Sequence, residues 1–98
     1  MWRVVRHPEA FRELEWAAIW YEERQSGLGK DFLSEYQAAL KRILEDPYRH
    51  RRVRGENRKV NLDRFPYGII YEVKPDASAI YVKAVMHLRR RPFYWLVR

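Results

Sequence analysis

The sequence predicts an α+β domain with the element order β-α-α-β-β-β. We expect the N-terminal strand and a helical hairpin to pack on one face of a mainly antiparallel sheet. Three observations predict this fold: helical spacing of apolar residues in the first half, alternation with a period of two in the second, and glycine- or proline-containing turns between the segments. A chain of 98 residues is expected to form one domain, residues 1–98.

The first two elements are a strand and an amphipathic helix. The segment WRVVR (2–6) is short, apolar and β-branched, as strands are. Pro8 suits the first turn of a helix, where its missing N–H is not needed, and Glu9 suits the positive end of the helix dipole. The side of this helix that faces the core is expected to comprise Phe11, Leu14, Ala18 and Tyr21, with Ala10 and Ala17 beside them.

A second helix follows a short reversal. The segment SGLG (26–29) carries two glycines and predicts a break. The segment KDFLSEYQAALKRILEDP (30–47) then predicts a helix that ends at Pro47. Its apolar stripe comprises Phe32, Tyr36, Leu40 and Ile43. Two amphipathic helices joined by so few residues form an antiparallel hairpin.

The second half predicts three strands: KVNL (59–62), YGIIYEVK (67–74) and AIYVKAVMH (79–87). The basic segment before them, YRHRRVRGENRK (48–59), is predicted to be a loop. Strict alternation in the last strand predicts Ile80, Val82, Ala84 and Met86 on one face and Tyr81, Lys83, Val85 and His87 on the other.

Charge divides the chain into two halves. Residues 1–48 hold seven Lys/Arg and nine Asp/Glu, whereas residues 49–98 hold thirteen Lys/Arg and four Asp/Glu. No acidic residue follows Asp76, so one half is a balanced scaffold and the other a cationic surface. Such asymmetry predicts an anionic partner. The chain lacks cysteine, and its N-terminus lacks the apolar run of a signal peptide, so we expect a cytoplasmic protein that does not insert into membranes.

Several classes of site are excluded by spacing. The three histidines, His7, His50 and His87, lack the spacing of metal ligands, so no metal is expected. Gly27 and Gly29 lie between helices and lack the third glycine of a dinucleotide fingerprint, which excludes that cofactor class. We expect neither a cofactor nor a small-molecule ligand.

Arginine, histidine and aromatic residues of the second half carry the remaining chemistry. Arginine binds phosphate through a planar fork, and histidine can act as general acid or base, so the pattern suits either binding of an anionic partner or metal-free RNA cleavage. Expected contacts with a target or nucleic acid are Arg49, Arg51, Arg52, Arg54, Arg89, Arg91 and Trp95. The alternative is structural: solvated loops, charges that protect a sheet edge, and aromatics that cover the core.

Two tryptophans on the first helix suggest a second contact surface. Trp16 and Trp20 are four residues apart and therefore share a helix face. They are either core residues or an exposed apolar stripe for a partner, and we expect partial burial together with contact to a partner protein.

Several segments in order resemble the RelE/ParE superfamily of bacterial toxins from type II toxin–antitoxin systems. They are WYEERQSGLGKDF (20–32), RFPY (64–67) and AVMHLRRRPFYW (84–95). The resemblance covers nearly the whole chain and implies a β-α-α-β-β-β fold. It also implies a growth-inhibiting toxin neutralised by a cognate antitoxin, for which Trp16 and Trp20 are the expected contacts.

The resemblance implies one of two targets. ParE-like members bind and poison DNA gyrase, whereas RelE-like members cleave mRNA on the ribosome without a metal. For a ribonuclease, the implied catalytic set is Arg58, His87, Arg90 and Tyr94. Leu88 stands where the RelE pattern has a catalytic arginine, so gyrase inhibition is favoured and the endoribonuclease is the alternative.

Overall fold

The elements follow one another in the predicted order, with one additional strand. A computed structural model describes residues 1–98. The elements are β1 (Arg3–Arg6), α1 (Pro8–Arg24), α2 (Leu28–Glu45), β2 (Arg52–Arg54), β3 (Asn57–Asn61), β4 (Tyr67–Lys74) and β5 (Ala79–His87), with short 3₁₀ turns at Pro75–Ala77 and Tyr94–Val97. The sheet order is β1-β5-β4-β3-β2, in which β1 runs parallel to β5 and all other pairs are antiparallel. The predicted α+β fold is confirmed.

The additional strand β2 lies in the segment predicted to be a loop. It pairs antiparallel with β3 through a turn at Gly55, whose φ of +54° is readily adopted only by glycine. Val53 is partly buried and packs against a cluster that contains Ile70 and Met86, while Arg52 and Arg54 on either side of it are exposed. The high arginine content concealed this strand because charged residues are typical of sheet edges as well as of loops.

The helical hairpin is tightened where its two helices meet. The carboxylate of Glu22 in α1 accepts hydrogen bonds from the backbone N–H groups of Gly27 and Gly29, and so caps the N-terminus of α2. A Cβ atom at Gly29 would lie only 2.4 Å from the carbonyl oxygen of Ala18. Neither helix has the length and hydrophobicity needed to cross a membrane.

The main core lies between the hairpin and one face of the sheet. Tyr21, Phe32, Phe65 and Tyr67 form an aromatic cluster there, with ring centroids 4.8–6.2 Å apart. The buried residues of α1 are Ala10, Leu14 and Ala17. Phe11 was expected in this core but is 48% exposed, because the small side chains of Ala10 and Ala17 face the sheet instead.

A β-bulge in β5 corrects the predicted alternation of that strand. Ile70 pairs with Ala84 and Tyr71 with Val82, which leaves Lys83 as an extra residue. Because of this extra residue, the side chains that follow Lys83 lie on the faces opposite to those predicted. Ile80, Val82 and Val85 therefore face the helices, whereas Ala84 and Met86 belong to a second cluster on the opposite, open face of the sheet.

Candidate functional site

The C-terminal segment, residues 88–98, folds back over the end of the sheet. Trp95 is only 1% exposed and packs with Ile70, Ala84 and Met86 in the second cluster. Trp95 was predicted to contact a target or nucleic acid, and the structure places its ring in this cluster. Phe93 adopts a left-handed backbone conformation with a φ of 63° immediately before the terminal 3₁₀ turn.

Glu13 of α1 fixes this segment to the body of the domain. Its carboxylate accepts hydrogen bonds from the Tyr94 hydroxyl at 2.7 Å and from the Arg90 guanidinium at 2.9 Å. The Arg98 guanidinium donates two further hydrogen bonds to it, at 2.9 and 3.0 Å. The Glu13 and Arg98 side chains are each only 11% exposed, so this is a largely buried ion pair with additional hydrogen bonds.

The same pair substitutes for a neighbouring strand. β1 reaches only as far as Val82 along β5, so the rest of that edge has no strand partner. The backbone N–H of Val85 donates to Glu13 at 3.0 Å, and Arg98 donates to the carbonyl of Lys83 at 2.9 Å. Backbone groups that would otherwise be unpaired are thereby satisfied.

The network shifts the acidity of two of its members. Burial raises the pKa of the Tyr94 hydroxyl, and its hydrogen bond to the Glu13 carboxylate raises that pKa further. Burial alone would lower the pKa of Arg98, but the Glu13 carboxylate raises it above the ordinary value. Tyr94 is therefore held as the neutral phenol and Arg98 as the cation.

A cleft of about 430 Å³ lies beside this network, between α1 and the sheet, and we call it the helix-side cleft. Its lining comprises Glu13, Trp16, Ala17, Trp20, Tyr21, Tyr67, Val85, His87 and Arg90. Trp16 is 71% exposed and Trp20 is 50% exposed, so both present apolar surface to solvent.

His87 lies at the end of β5, opposite Tyr67 of β4, and the centroids of the two rings are 5.1 Å apart. Its Nδ1 atom accepts a hydrogen bond from the backbone N–H of Arg89 at 3.1 Å. A neutral imidazole with this acceptor carries its proton on Nε2. His87 is thus oriented by the chain that follows it and lines the helix-side cleft.

Arg58 lies apart from the other three residues of the predicted catalytic set. It pairs with Tyr71, four residues along β4 from Tyr67, which corresponds to roughly 13 Å along the strand. Its side chain is largely buried, and its guanidinium donates to the backbone carbonyls of Tyr48 and His50 at 3.0 and 2.6 Å. The fold therefore brings together His87, Arg90 and Tyr94 but not Arg58.

A second cleft, of about 440 Å³, lies on the open face of the sheet, and we call it the open-face cleft. Three buried apolar residues line it, Ile70, Met86 and Trp95, and we call them the floor. The rest of the lining comprises the more exposed apolar residues Val53, Pro92 and Phe93 and three cations, Arg51, Arg52 and Lys59, which we call the wall. Other arginines predicted as contacts, Arg49, Arg54, Arg89 and Arg91, are exposed, and Arg54 lies over the ring of Phe93 at 5.0 Å.

Glu13 is the central residue of this network, and the sequence prediction did not identify it. A signal was present, because residues 10, 13, 14 and 17 share one helix face, and a carboxylate within this apolar stripe must find partners. No cluster of histidine and carboxylate residues in the structure could hold a metal ion. The network and the cleft beside it consist of cations, one largely buried carboxylate and aromatic rings.

Comparison with known proteins agrees with this architecture. The family model described as ParE toxin of type II toxin-antitoxin system, parDE, matches residues 4–92. Among solved structures, the chain is similar to the isolated E. coli RelE toxin, with a TM-score of 0.64 and 18% identity over 99% of this chain and 95% of that one. No curated protein sequence matches significantly. The chain is therefore a toxin of a type II toxin–antitoxin system and belongs to the ParE toxin family within the RelE/ParE superfamily.

Proposed function

We propose that this toxin inhibits growth by binding and poisoning DNA gyrase, and that it does not cleave RNA. The proposal rests on one observation: three of the four expected catalytic side chains already donate hydrogen bonds within the fold. Glu13 binds both Arg90 and Tyr94, and backbone carbonyls bind Arg58. Groups that are already paired within the fold are poorly placed to stabilise charge on a phosphodiester.

Proton transfer by Tyr94 is also disfavoured. An effective general acid or base has a pKa near the operating pH, whereas burial and the Glu13 carboxylate raise the pKa of Tyr94 above its ordinary value. The family model supports the same direction, because it is the ParE model that matches.

Exposed arginines supply the surface for the target. Arg49, Arg51, Arg52, Arg54, Arg89 and Arg91 are all exposed. Arg51 and Arg52 line the open-face cleft, and Arg54 lies over Phe93 of the C-terminal segment, which also carries Arg89 and Arg91. Such a surface favours an acidic target and accelerates its association. We propose that gyrase contacts this surface in the cytoplasm.

The cognate antitoxin, which membership of the family implies, has a different candidate surface. Trp16 and Trp20 are exposed beside the helix-side cleft, and an apolar side chain of the antitoxin could fill that cleft between them. We propose this surface as the antitoxin contact. Replacing both tryptophans with serine should weaken antitoxin binding by at least tenfold, since aromatic anchors dominate such interfaces, as measured by calorimetry.

An mRNA endoribonuclease is the second candidate, and His87 favours it. The Nδ1 atom of His87 is occupied by Arg89 and the ring lines an open cleft, so Nε2 is the atom that could exchange a proton with a substrate. A His87→Ala variant of a nuclease would lose roughly 10²–10⁴-fold in activity. Full toxicity of this variant in bacteria would exclude His87 as the acid or base.

Inducible expression in bacteria with pulse labelling tests the proposal. We expect DNA synthesis to stop first and double-strand breaks to accumulate. Protein synthesis that stops first, with cuts in mRNA, would instead support the ribonuclease. The absence of any growth defect would remove the proposed activity for this chain.

A further inference from the structure

The open-face cleft differs from the helix-side cleft in its charge. In the helix-side cleft, Arg90 forms an ion pair with Glu13, which lines the same cleft. In the open-face cleft, the wall carries Arg51, Arg52 and Lys59, and no acidic residue lines the cavity. Arg51 and Lys59 take part in none of the ion pairs of the structure, and Arg52 has only the distant, exposed Glu56 at 3.9 Å.

The cleft is also divided into a cationic and an apolar part. Ile70, Met86 and Trp95 form its floor, and Pro92 and Phe93 stand among its apolar side residues. A volume of about 440 Å³ is within the range of natural ligand pockets. Its occupant must therefore combine an apolar group, which displaces water from the floor, with acidic groups for the wall.

A peptide fits this division better than a nucleic acid does. Proteins that bind single strands offer aromatic ring faces on which bases stack. Here the Trp95 ring is 1% exposed, and the Arg54 guanidinium lies over one face of the Phe93 ring at 5.0 Å, although Phe93 remains 38% exposed. A stacked base would have only the Phe93 ring to contact, whereas the apolar floor suits a leucine-like side chain.

We propose that the open-face cleft is the docking site for the protein target. It would take an acidic segment of that target whose one or two apolar side chains enter the cleft. The inference rests on the proposed function, because it assigns the target contact to one cavity. Exposed arginines outside the cleft then steer the encounter, and Arg51, Lys59 and the apolar floor hold the bound segment.

Fluorescence anisotropy with a defined probe tests the chemistry of the cleft. The probe is the labelled peptide Glu-Glu-Leu-Asp-Leu-Glu-Glu, and its comparison is the same peptide with both leucines replaced by serine. Burying a leucine side chain is worth enough to change affinity by about tenfold or more. We expect the leucine peptide to bind at least tenfold more tightly, and equal affinities would overturn the role of the floor.

A matched pair of charge reversals locates the binding on the protein. Arg51→Glu changes the cleft wall, and Lys41→Glu makes the same change in net charge on an exposed position of α2 that has no ion pair. We expect Arg51→Glu to weaken peptide binding about tenfold and Lys41→Glu to change it far less. If both variants weaken peptide binding equally, the binding depends only on net charge, and the location in the cleft is overturned. If duplex DNA binds more tightly than the peptide, and Arg51→Glu abolishes this DNA binding, the assignment of the cleft to a peptide is overturned.

Gyrase inhibition by the same two variants separates the two proposals. If the cleft docks the target, Arg51→Glu inhibits gyrase about tenfold less potently, whereas Lys41→Glu inhibits as the parent chain does. Undiminished inhibition by Arg51→Glu would overturn the docking site and leave gyrase inhibition standing. A parent chain that leaves gyrase unaffected would overturn the proposed function, and the docking of this target falls with it.

Discussion

Glu13 and Arg98 form a two-point ion pair, at 2.9 and 3.0 Å, that joins the first helix to the last residue of the chain. Their sequence positions are 85 apart. Through Tyr94 and Arg90, the same carboxylate also orients the segment that lies between the two clefts. The shape of both candidate surfaces therefore depends on one carboxylate of the acidic half of the chain.

Replacing Glu13 with glutamine should lower the free energy of unfolding by about 3 kcal/mol. The substitution removes the negative charge and leaves Arg98, which is largely buried, without its partner. Urea denaturation followed by tryptophan fluorescence measures this loss. The matched control is Glu23→Gln on the same helix, since the Glu23 side chain is 68% exposed, and its effect should stay within about 0.5 kcal/mol. Equal effects of the two would refute the importance of the network.

Gly29 should not tolerate alanine. The new Cβ would lie 2.4 Å from the backbone carbonyl oxygen of Ala18, and backbone cannot move aside as a side chain can. We expect the free energy of unfolding to fall by about 2 kcal/mol, even though alanine favours helix more than glycine does.

Gly68→Ala is the control for this crowding. Its Cβ would meet Asn61 Oδ1 and Lys59 Cε, both at 2.9 Å, and these side-chain atoms can shift. The loss should stay below about 1 kcal/mol. A Gly29→Ala variant as stable as the Gly68→Ala variant would contradict the close approach of the two helices.

Stability should decline at alkaline pH because of Tyr71. Burial raises its pKa to about 12 from 10.0, and its hydroxyl donates to the carbonyl of Pro47 at 2.7 Å. Since the unfolded chain loses this proton at lower pH than the folded protein does, stability falls as pH rises from about 10 to about 12. Urea midpoints across this range should show a smaller decline for Tyr71→Phe than for the parent chain, and identical slopes would exclude Tyr71 as the cause.

Lys74 and Lys83 should together lower the pKa of Glu72. Burial favours a higher pKa for Glu72, but hydrogen bonds from Lys74 and Lys83, at 3.2 and 3.3 Å, lower it below the ordinary value. The ion pairs of Glu72 with the two lysines stabilise the fold at pH values above the ordinary pKa of 4.5. This stabilisation disappears as pH falls through the lowered pKa of Glu72 in the folded protein.

Carbon NMR of the Glu72 carboxyl group provides the measurement for this prediction. Lys83→Met should raise the pKa of Glu72. Lys74→Met should raise it as well, because Lys74 also pairs with the Glu72 carboxylate, at 3.2 Å. A pKa unchanged by Lys83→Met would contradict this assignment.

The overall fold was predictable because the local patterns agree with one another. The helical stripe that begins at Phe32 and the turn at residues 26–29 specify the hairpin, and the three strands leave one antiparallel arrangement. The strand β2 was missed because Arg52 and Arg54 are as typical of a solvated loop as of an edge strand. The faces of β5 were misassigned after Lys83, since a β-bulge has no reliable signature in a single sequence.

The candidate site was only partly predictable. Exposed cations follow from composition, so their presence was expected, and Trp16 and Trp20 at the helix-side cleft were named from their spacing. The sequence does not show which cation forms an ion pair with a carboxylate, because such pairs join residues far apart in the chain, as Glu13 and Arg90 are. The burial of Trp95 has the same origin, because the return of the C-terminal segment over the sheet is a tertiary event.

We propose that this toxin acts on gyrase through binding rather than on RNA through catalysis. The most direct measurement adds the purified chain to gyrase with relaxed plasmid and ATP, and in parallel to ribosomes translating a defined mRNA. We predict loss of supercoiling and accumulation of cleaved plasmid, equally with the His87→Ala variant, while the mRNA stays intact. The opposite result is unimpaired supercoiling together with cleavage of the ribosome-bound mRNA, where His87→Ala abolishes the cleavage. That result would contradict gyrase inhibition and support the endoribonuclease.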